Sequence, residues 1–126
     1  MPNHRLIAII DDDLSYRKAT ERLLHAYGWE CRSFESAKAF LDIDKVEVIS
    51  CLLLDIHMPE MTGIDLLKQL RSKGIEISCL FVTAHMLSDS QMAIVDKFKA
   101  EVLPKPCDAP YLIEAIARAC VGSKAS

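Results

Sequence analysis

The sequence predicts an α/β protein in which helices cover both faces of a doubly wound parallel sheet. Short apolar runs alternate along the chain with stretches whose apolar residues recur at helical spacing, which indicates a (βα)5 order. Three of the runs are predominantly apolar: Leu6–Ile10, Val48–Leu54 and the segment "ISCLFVT". Strands without a polar face are buried on both sides, as is typical of parallel sheets in alternating α/β folds.

The first strand leads into a helix whose two ends are recognisable. Asp13 stands where a capping side chain is favoured, and Gly28 stands where a helix ends. One stripe of this helix is predicted to face the core, and it contains Tyr16, Ala19, Thr20, Leu23, Leu24 and Tyr27. The segment "WECRSF" predicts the second strand, and Ser36 is expected to cap a short helix that carries Phe40 and Leu41.

The second half of the chain continues the alternation. The segment "IDLLKQLRSKG" predicts a helix that ends at Gly74, "SDSQMAIVDKF" a helix with a weaker apolar stripe, and "AEVLP" the fifth strand. Asp108 is expected to cap the last helix, with Pro110 tolerated in its first turn. The inward residues are predicted to be Ile64, Leu67 and Leu70 on the earlier helix and Leu112, Ile113, Ile116, Ala117 and Cys120 on the last.

Length and composition predict one domain over residues 1–126, with a core from about residue 5 to residue 120. The chain is 51% hydrophobic, and its net charge of −3 gives no electrostatic reason to expect nucleic-acid binding. No apolar stretch reaches the roughly 18 residues of a membrane span, and no signal peptide is recognisable. The five cysteines are scattered and form no C-x-x-C pair. We therefore expect a cytoplasmic protein with reduced, mostly core-filling thiols.

Polar residues stand where the apolar strands end. Asp11 and Asp12 follow the first strand, Asp55 ends the third, Thr83 ends the fourth and Lys105 follows the fifth. In an open parallel sheet the carboxyl ends of the strands line one cleft. If these strands are neighbours, three acids, a hydroxyl and an ammonium group meet there.

Three carboxylates in one cleft repel one another and raise one another's pKa values. A divalent cation removes this conflict, and an all-oxygen site with room for water suits Mg²⁺. With the lysine as a second positive charge, the cleft suits a phosphoryl group, whose transfer depends mainly on positioning and charge neutralisation. One of the carboxylates can itself be the nucleophile and form an aspartyl phosphate.

At these residues the chain resembles the receiver domain of bacterial response regulators, which has the CheY-like, flavodoxin-like fold. The resemblance rests on the acid pair and on the segments "LLLDIHMPEMTG", "FVTAH" and "LPKP". It implies the strand order 2-1-3-4-5 and a two-component phosphorelay switch. Such a domain is not a turnover enzyme, although it catalyses its own phosphorylation and dephosphorylation.

The resemblance also implies a metal site. Asp12 and Asp55 resemble direct Mg²⁺ ligands, and the His57 backbone carbonyl resembles a third. Asp11 resembles the acid that holds the metal through water, whereas Asp13 is expected to serve as the helix cap.

The remaining roles concern the phosphoryl group. Asp55 resembles the phosphoacceptor, Thr83 the hydroxyl that reports phosphorylation, and Lys105 the lysine that pairs first with the carboxylate and then with the phosphoryl oxygens. The Lys105–Pro106 bond is expected to be cis, as in the family.

The loop after Asp55 is expected to present this residue to the metal. Pro59 and Gly63 would shape the loop, with Gly63 at positive φ. His57 and His85 resemble rim positions that tune how fast family members lose the phosphoryl group, and the alternative is a pair of ordinary surface histidines.

The chain departs from the family pattern at two places. Val102 stands three residues before the lysine, where the family usually carries Tyr or Phe, and Phe98-Lys99 replaces the usual Gly-Ala. The aromatic normally changes rotamer with the threonine. We therefore expect an unconventional output face, formed by the fourth helix, the fifth strand and the fifth helix.

Two alternative functions remain at this point. The "IIDDDLS" segment also resembles haloacid-dehalogenase-type phosphatases, in which Asp11 would be the nucleophile and Asp13 the second acid. The other alternative is a receiver-like module that binds its partners without being phosphorylated.

The resemblance implies a sensor histidine kinase as partner and allows a homodimer on phosphorylation. The segments "ESAKAFL" and "MTGIDLLKQLRSKG" are similar to receivers that precede a helix-turn-helix output domain, so a transcriptional output is expected by analogy.

Overall fold

The computed structural model describes residues 5–43 and 46–121, with side-chain positions for all of these except 47 and 121. In this part of the chain, five parallel strands form one sheet in the order β2-β1-β3-β4-β5. The strands are β1 (Leu6–Ile10), β2 (Glu30–Phe34), β3 (Cys51–Asp55), β4 (Ser78–Thr83) and β5 (Glu101–Pro104). The helices are α1 (Leu14–Ala26), α2 (Ala37–Leu41), α3 (Gly63–Ser72), α4 (Asp89–Lys97) and α5 (Ala109–Val121). The predicted fold and strand order are confirmed.

The sheet separates two hydrophobic cores. Successive side chains of a strand point to opposite faces, so Ala8 and Ile10 of β1 pack on the side of α2, α3 and α4. Ile7 and Ile9 pack on the side of α1 and α5. All four residues are fully buried, which is why β1 reads as a continuous apolar run.

Local end signals position the first two helices as predicted. The Asp13 carboxylate accepts a hydrogen bond from the Tyr16 N–H, and the Ser36 hydroxyl accepts one from the Ala39 N–H. None of the helices in the described ranges has the length and apolar character that crossing a membrane requires.

The inward stripes differ from prediction at the edges. Ala19 and Tyr27 of α1 are exposed, so their predicted inward position is wrong. On α5, Ala115 is fully buried and Ala117 only half-buried. The fully buried Leu24 marks the part of α1 that contacts the sheet, whereas residues at the edges of that contact are exposed to solvent.

The third strand begins later than the predicted Val48. Residues Val46–Val48 form a 3-10 turn, in which the Ile49 N–H donates to the Val46 carbonyl. The ladder between β1 and β3 starts with Ile7 paired to Cys51. Val48 has no place in that ladder and is 52% exposed.

Three of the five cysteines fill the core, as predicted for most of them. Cys51, Cys79 and Cys120 are buried, whereas Cys31 and Cys107 are half-buried, and all five are free thiols.

Candidate phosphoacceptor site

The register of the sheet brings the predicted site residues to one edge. The last pair between β1 and β3 joins Ile10 to Leu54, so Asp11 and Asp55 leave the ladder at the same level. On the other side of β3, Thr83 pairs with Pro104 at the end of the ladder between β4 and β5, and Lys105 follows. Parallel pairing therefore collects residues from four strand ends in one cleft.

Lys105 links the two buried acids of the cleft. Its Nζ atom lies 2.7 Å from Asp11 Oδ2 and 3.5 Å from Asp55 Oδ2. Both carboxylates are more than nine-tenths buried, whereas the lysine is partly exposed. The shorter contact is a charge-assisted hydrogen bond, so the ammonium group sits closer to Asp11 than to Asp55.

Three carboxylates form a compact acidic cluster. Asp11, Asp12 and Asp55 each offer an oxygen, and these atoms lie within 4.8 Å of one another. Asp12 is exposed, which leaves the cluster open to solvent on one side. This donor set fits a hard divalent cation such as Mg²⁺, which takes carboxylate oxygens and retains water ligands.

The charges in the cleft shift the pKa values of Asp55 and Lys105. Burial and the nearby Asp11 carboxylate raise the pKa of Asp55, although Lys105 and the His57 N–H act in the opposite direction. Burial lowers the pKa of Lys105, but the hydrogen bond and charge of Asp11 and the charge of Asp55 outweigh it, so this pKa is raised. The lysine remains charged at neutral pH, whereas burial and the Asp11 carboxylate disfavour the charged form of Asp55.

The loop after β3 bends at a residue other than the predicted one. Glu60 has positive φ (69°), and the Met61 N–H donates to the Pro59 carbonyl across it at 2.7 Å, a tight γ-turn. Gly63 does not have positive φ, so that prediction is wrong. A Cβ atom on Gly63 would instead come within 3.0 Å of the Asp55 carbonyl oxygen, so glycine is required for a close backbone approach.

Thr83 is tied to the loop that follows its strand. Its hydroxyl accepts a hydrogen bond from the His85 N–H at 3.1 Å and lies 3.3 Å from the His85 carbonyl. The hydroxyl is buried beside the cleft, so a change in its partners changes the contacts of the β4–α4 loop.

The two rim histidines contact each other. Their rings meet edge to face with centroids 4.9 Å apart, and both residues are exposed. The His57 N–H also donates to Asp55 Oδ1 at 3.2 Å. The two side chains therefore contact each other, and the His57 backbone contacts the cleft through Asp55.

Sequence reasoning missed two contacts with the cleft. The Arg17 guanidinium donates to the Asp11 carbonyl at 2.7 Å, and the ammonium of Lys105 lies 4.4 Å from the centroid of the Tyr16 ring. Tyr16 was predicted only as a core residue of α1. Its neighbour Lys105 is 89 positions away along the chain, and no local pattern signals such a pair.

The two departures from the family pattern lie within β5 and just before it. Val102 is half-buried and packs against the core on the α4 side. Lys99 ends α4 at positive φ (57°), a conformation that glycine adopts more readily. The Lys105–Pro106 bond is cis, as expected.

Comparison with known proteins finds relatives among transcriptional regulators and response regulators. The chain is 35% identical over 111 residues to the DNA-binding transcriptional regulator NtrC of Klebsiella pneumoniae, a match that covers 88% of this chain and 24% of NtrC. It is 36% identical over 89 residues to the response regulator protein TodT of Pseudomonas putida, covering 71% of this chain and 38% of TodT. The chain therefore spans well under half the length of these two curated relatives.

Solved structures agree in fold. The structure of response regulator StyR has 34% sequence identity and a TM-score of 0.83, and the match covers 94% of this chain and 60% of that one. The crystal structure of FixJ-N has 29% identity and a TM-score of 0.83, with 97% of each chain covered. The family model described as the response regulator receiver domain matches residues 7–117. The chain belongs to the response regulator receiver domain family.

Proposed function

We infer that the chain accepts a phosphoryl group on Asp55 and thereby switches a protein–protein interface. The observation that carries this proposal is the position of Asp55 at the end of β3, buried, beside two further acids and 3.5 Å from the Lys105 ammonium. A buried carboxylate with a raised pKa and a cation beside it is a candidate nucleophile with a physical reason for its reactivity.

Asp12, Asp55 and the His57 carbonyl would hold Mg²⁺ directly, and Asp11 would hold it through water. When bound, the ion neutralises negative charge that would otherwise build up during phosphoryl transfer. Asp13 is not part of this set, because its carboxylate accepts the Tyr16 N–H at the start of α1. That assignment also argues against the phosphatase alternative, in which Asp13 would act on the substrate.

The transfer step is a displacement at phosphorus. One Asp55 carboxylate oxygen forms the new P–O bond while the P–N bond of a phosphohistidine breaks. The electron pair of that bond stays on the imidazole nitrogen, which then takes up a proton. Lys105 exchanges its contact with the free carboxylate for a phosphoryl oxygen, and the Thr83 hydroxyl exchanges the His85 backbone for another.

The proposed phosphodonor is a sensor histidine kinase, and the proposed output is transcriptional. The phosphodonor is proposed from membership of the receiver family. The transcriptional output is proposed from a relative, since NtrC is a DNA-binding transcriptional regulator and this chain spans only 24% of it. Release of the His85 backbone by Thr83 would alter the β4–α4 loop and so the face formed by α4, β5 and α5. That route does not need the aromatic side chain that Val102 replaces.

The test is the intact mass of the protein after incubation with Mg²⁺ and acetyl phosphate. We expect one added phosphoryl group, lost in Asp55→Asn and lost when EDTA removes the metal. Asp13→Asn is the matched control, because asparagine is an equally good helix cap and Asp13 lies outside the acidic cluster. This variant is expected to take up the phosphoryl group as the wild type does.

Two results would overturn the proposal. Uptake that persists in Asp55→Asn would place the phosphoryl group elsewhere. No uptake from acetyl phosphate or from a partner kinase, together with no binding of beryllofluoride, would favour the module that acts without phosphorylation.

A further inference from the structure

The Lys105 ammonium has an aromatic neighbour in addition to its two acids. Its Nζ atom lies 4.4 Å from the centroid of the Tyr16 ring, 2.7 Å from Asp11 Oδ2 and 3.5 Å from Asp55 Oδ2. We propose that Tyr16 is a positioning residue that holds Lys105 in place for phosphoryl transfer to Asp55. This inference rests on the function proposed above.

The ring of Tyr16 is itself held firmly. Its backbone N–H donates to Asp13 Oδ1 at 3.2 Å, and its phenol lies near the side chain of the buried Thr20 one turn further along α1, which acts to lower the pKa of the phenol. The ring also packs against the core on the α1 and α5 side of the sheet. Burial raises the pKa of the phenol, so the ring is uncharged at neutral pH and its face remains the negative end of the quadrupole.

The arrangement suits a lysine that changes partners. Asp11 holds the ammonium at the shorter distance, whereas the proposed reaction requires the ammonium to contact the phosphoryl group on Asp55. The attraction between a cation and the face of an aromatic ring is less directional than a hydrogen bond. The Tyr16 ring can therefore hold Nζ both before and after transfer. With an aliphatic residue in its place, the Asp11 carboxylate would be the dominant partner and would draw the lysine away from the phosphoryl position.

A purely structural role for Tyr16 makes different predictions. If the ring only filled space in the core, Leu or Met would replace it with little effect on the chemistry. If the contact of the phenol with Thr20 were the important one, Tyr16→Phe would be as harmful as Tyr16→Leu. The positioning role instead predicts that Phe, which keeps the aromatic face, rescues what Leu and Met lose.

The first measurement uses the unphosphorylated protein and does not depend on the proposed function. We would record the NMR signals of the Lys105 side-chain methylene groups next to Nζ in wild type, Tyr16→Phe and Tyr16→Leu. Protons above an aromatic face are shielded, so we expect an upfield shift in wild type and Tyr16→Phe that is lost in Tyr16→Leu. Equal shifts in all three proteins would show that the ring does not hold the lysine.

The second measurement is the rate of phosphoryl uptake from acetyl phosphate with Mg²⁺. We expect Tyr16→Leu to be slower than wild type by about tenfold, the size of a partly buried cation–π contact, and Tyr16→Phe to be close to wild type. In a Lys105→Ala background the same Leu substitution should have no further effect, because the group that the ring holds is gone. Tyr16→Met serves as a second aliphatic variant if Tyr16→Leu unfolds at a lower temperature.

The outcomes separate the two proposals. No uptake by the wild-type protein from acetyl phosphate or a partner kinase, together with no beryllofluoride binding, would remove the proposed function, while the NMR shifts would still decide whether the contact exists. Normal uptake by the wild type and equal rates in Tyr16→Leu would overturn the positioning role. Equal slowing in Tyr16→Phe and Tyr16→Leu, or slowing that persists in Lys105→Ala, would also overturn it.

Discussion

Asp55 is a buried carboxylate with a cation and a second acid beside it. The Lys105 ammonium is closer to Asp11 than to Asp55, so the charge of Asp55 is the less compensated of the two. Burial and Asp11 therefore raise its pKa. A further positive charge would therefore stabilise the charged form of Asp55, which is consistent with the proposed roles of Asp55 as metal ligand and phosphoacceptor.

Gly63 illustrates how a single missing Cβ shapes the same cleft. The first residue of α3 lies against the carbonyl of Asp55, and its N–H donates to the Ile56 carbonyl at 3.1 Å. A Cβ atom there would also lie 3.0 Å from Leu54 Cγ. Because the conflicting atom is backbone, the strand end or the helix would have to move.

We predict that Gly63→Ala lowers the free energy of unfolding by about 1–3 kcal/mol, the usual cost of overpacking. Because the displaced backbone carries Asp55, we also expect phosphoryl uptake to be slower by about tenfold or more. Urea unfolding and intact-mass kinetics with acetyl phosphate measure the two effects.

Gly74→Ala is the matched control. Gly74 has φ of +78°, and a Cβ atom there would meet nothing within 4 Å, so the substitution introduces backbone strain far from the cleft. It should cost about 1–2 kcal/mol and leave phosphoryl uptake unchanged. Unchanged uptake in Gly63→Ala as well would contradict the role assigned to the close approach.

At the scale of elements, three helices end in the same way but with different residues. In α1, α3 and α4 the residue after the C-cap has positive φ, and the next N–H donates back to a carbonyl in the last turn. This Schellman geometry uses Gly28 after α1 and Gly74 after α3. After α4 it uses Lys99, whose Cβ disfavours the left-handed conformation.

We predict that Lys99→Gly raises the free energy of unfolding by about 1 kcal/mol, because it removes the cost of a left-handed non-glycine residue. Chemical denaturation of the purified protein measures the change. Gly74→Lys, the reverse exchange at the end of α3, should lower stability by a similar amount. A loss of stability in Lys99→Gly would mean that the lysine side chain makes a contact worth more than the backbone strain.

Helix α4 is also the least embedded of these helices in the core. Val95 is its one buried side chain among the described residues, whereas α3 buries Ile64, Leu66, Leu67 and Leu70. A helix with little buried apolar surface is held weakly, and elements of low local stability are the ones that move in switching proteins. The backbone strain after the C-terminus of α4 and the sparse burial of this helix both lower its local stability.

For the whole molecule, the charge of Asp55 links stability to pH. Its pKa in the folded protein is raised above 3.8, so the folded state binds the proton more tightly than the unfolded state. The resulting destabilisation is absent below about pH 3.8 and is fully present above the folded pKa. The raised pKa of Lys105 acts differently. The stabilisation that Lys105 contributes is present below pH 10.5 and is lost only as the pH rises through the pKa of Lys105 in the folded protein.

We predict that Asp55→Asn is more stable than the wild type at pH 7 in EDTA, and that the difference shrinks as the pH falls towards 3.8. The variant removes a desolvated charge that repels Asp11 and adds no new one. Urea unfolding at a series of pH values measures the difference. A variant that is less stable at pH 7, or a difference independent of pH, would contradict this electrostatic account.

Added Mg²⁺ extends this prediction. A ligand that binds the folded state alone stabilises it, by about 2.7 kcal/mol at a concentration of 100 times Kd. Mg²⁺ should therefore stabilise the wild type more than Asp55→Asn, which has lost one of the proposed ligands.

Local patterns were sufficient for much of this molecule. The Asp13 cap, the positive φ after α1 and α3, and the order of strands and helices all depend on residues close together in the chain. Prediction was less successful where packing between elements determines which residues are buried. Ala19 and Tyr27 were predicted to face inward because helical spacing does not show how wide the contact with the sheet is.

Glycine is required at position 63, but for a reason other than the predicted positive φ. A glycine in a loop suggests positive φ, but the conflict that requires it here lies with the carbonyl of Asp55, which the chain reaches only after folding back. The bend itself falls on Glu60.

Burial on both faces and residue order are local properties of the chain, so the class of fold and the residue types at each strand end could be predicted from the amino-acid sequence. It therefore predicted that Asp11, Asp55, Thr83 and Lys105 would meet. How these side chains meet depends on tertiary packing. Lys105 lies closer to Asp11, 94 positions away, than to Asp55, and it lies against the ring of Tyr16. Those distances depend on the packing of α1 and the β5–α5 loop against the sheet, which no short stretch of sequence contains.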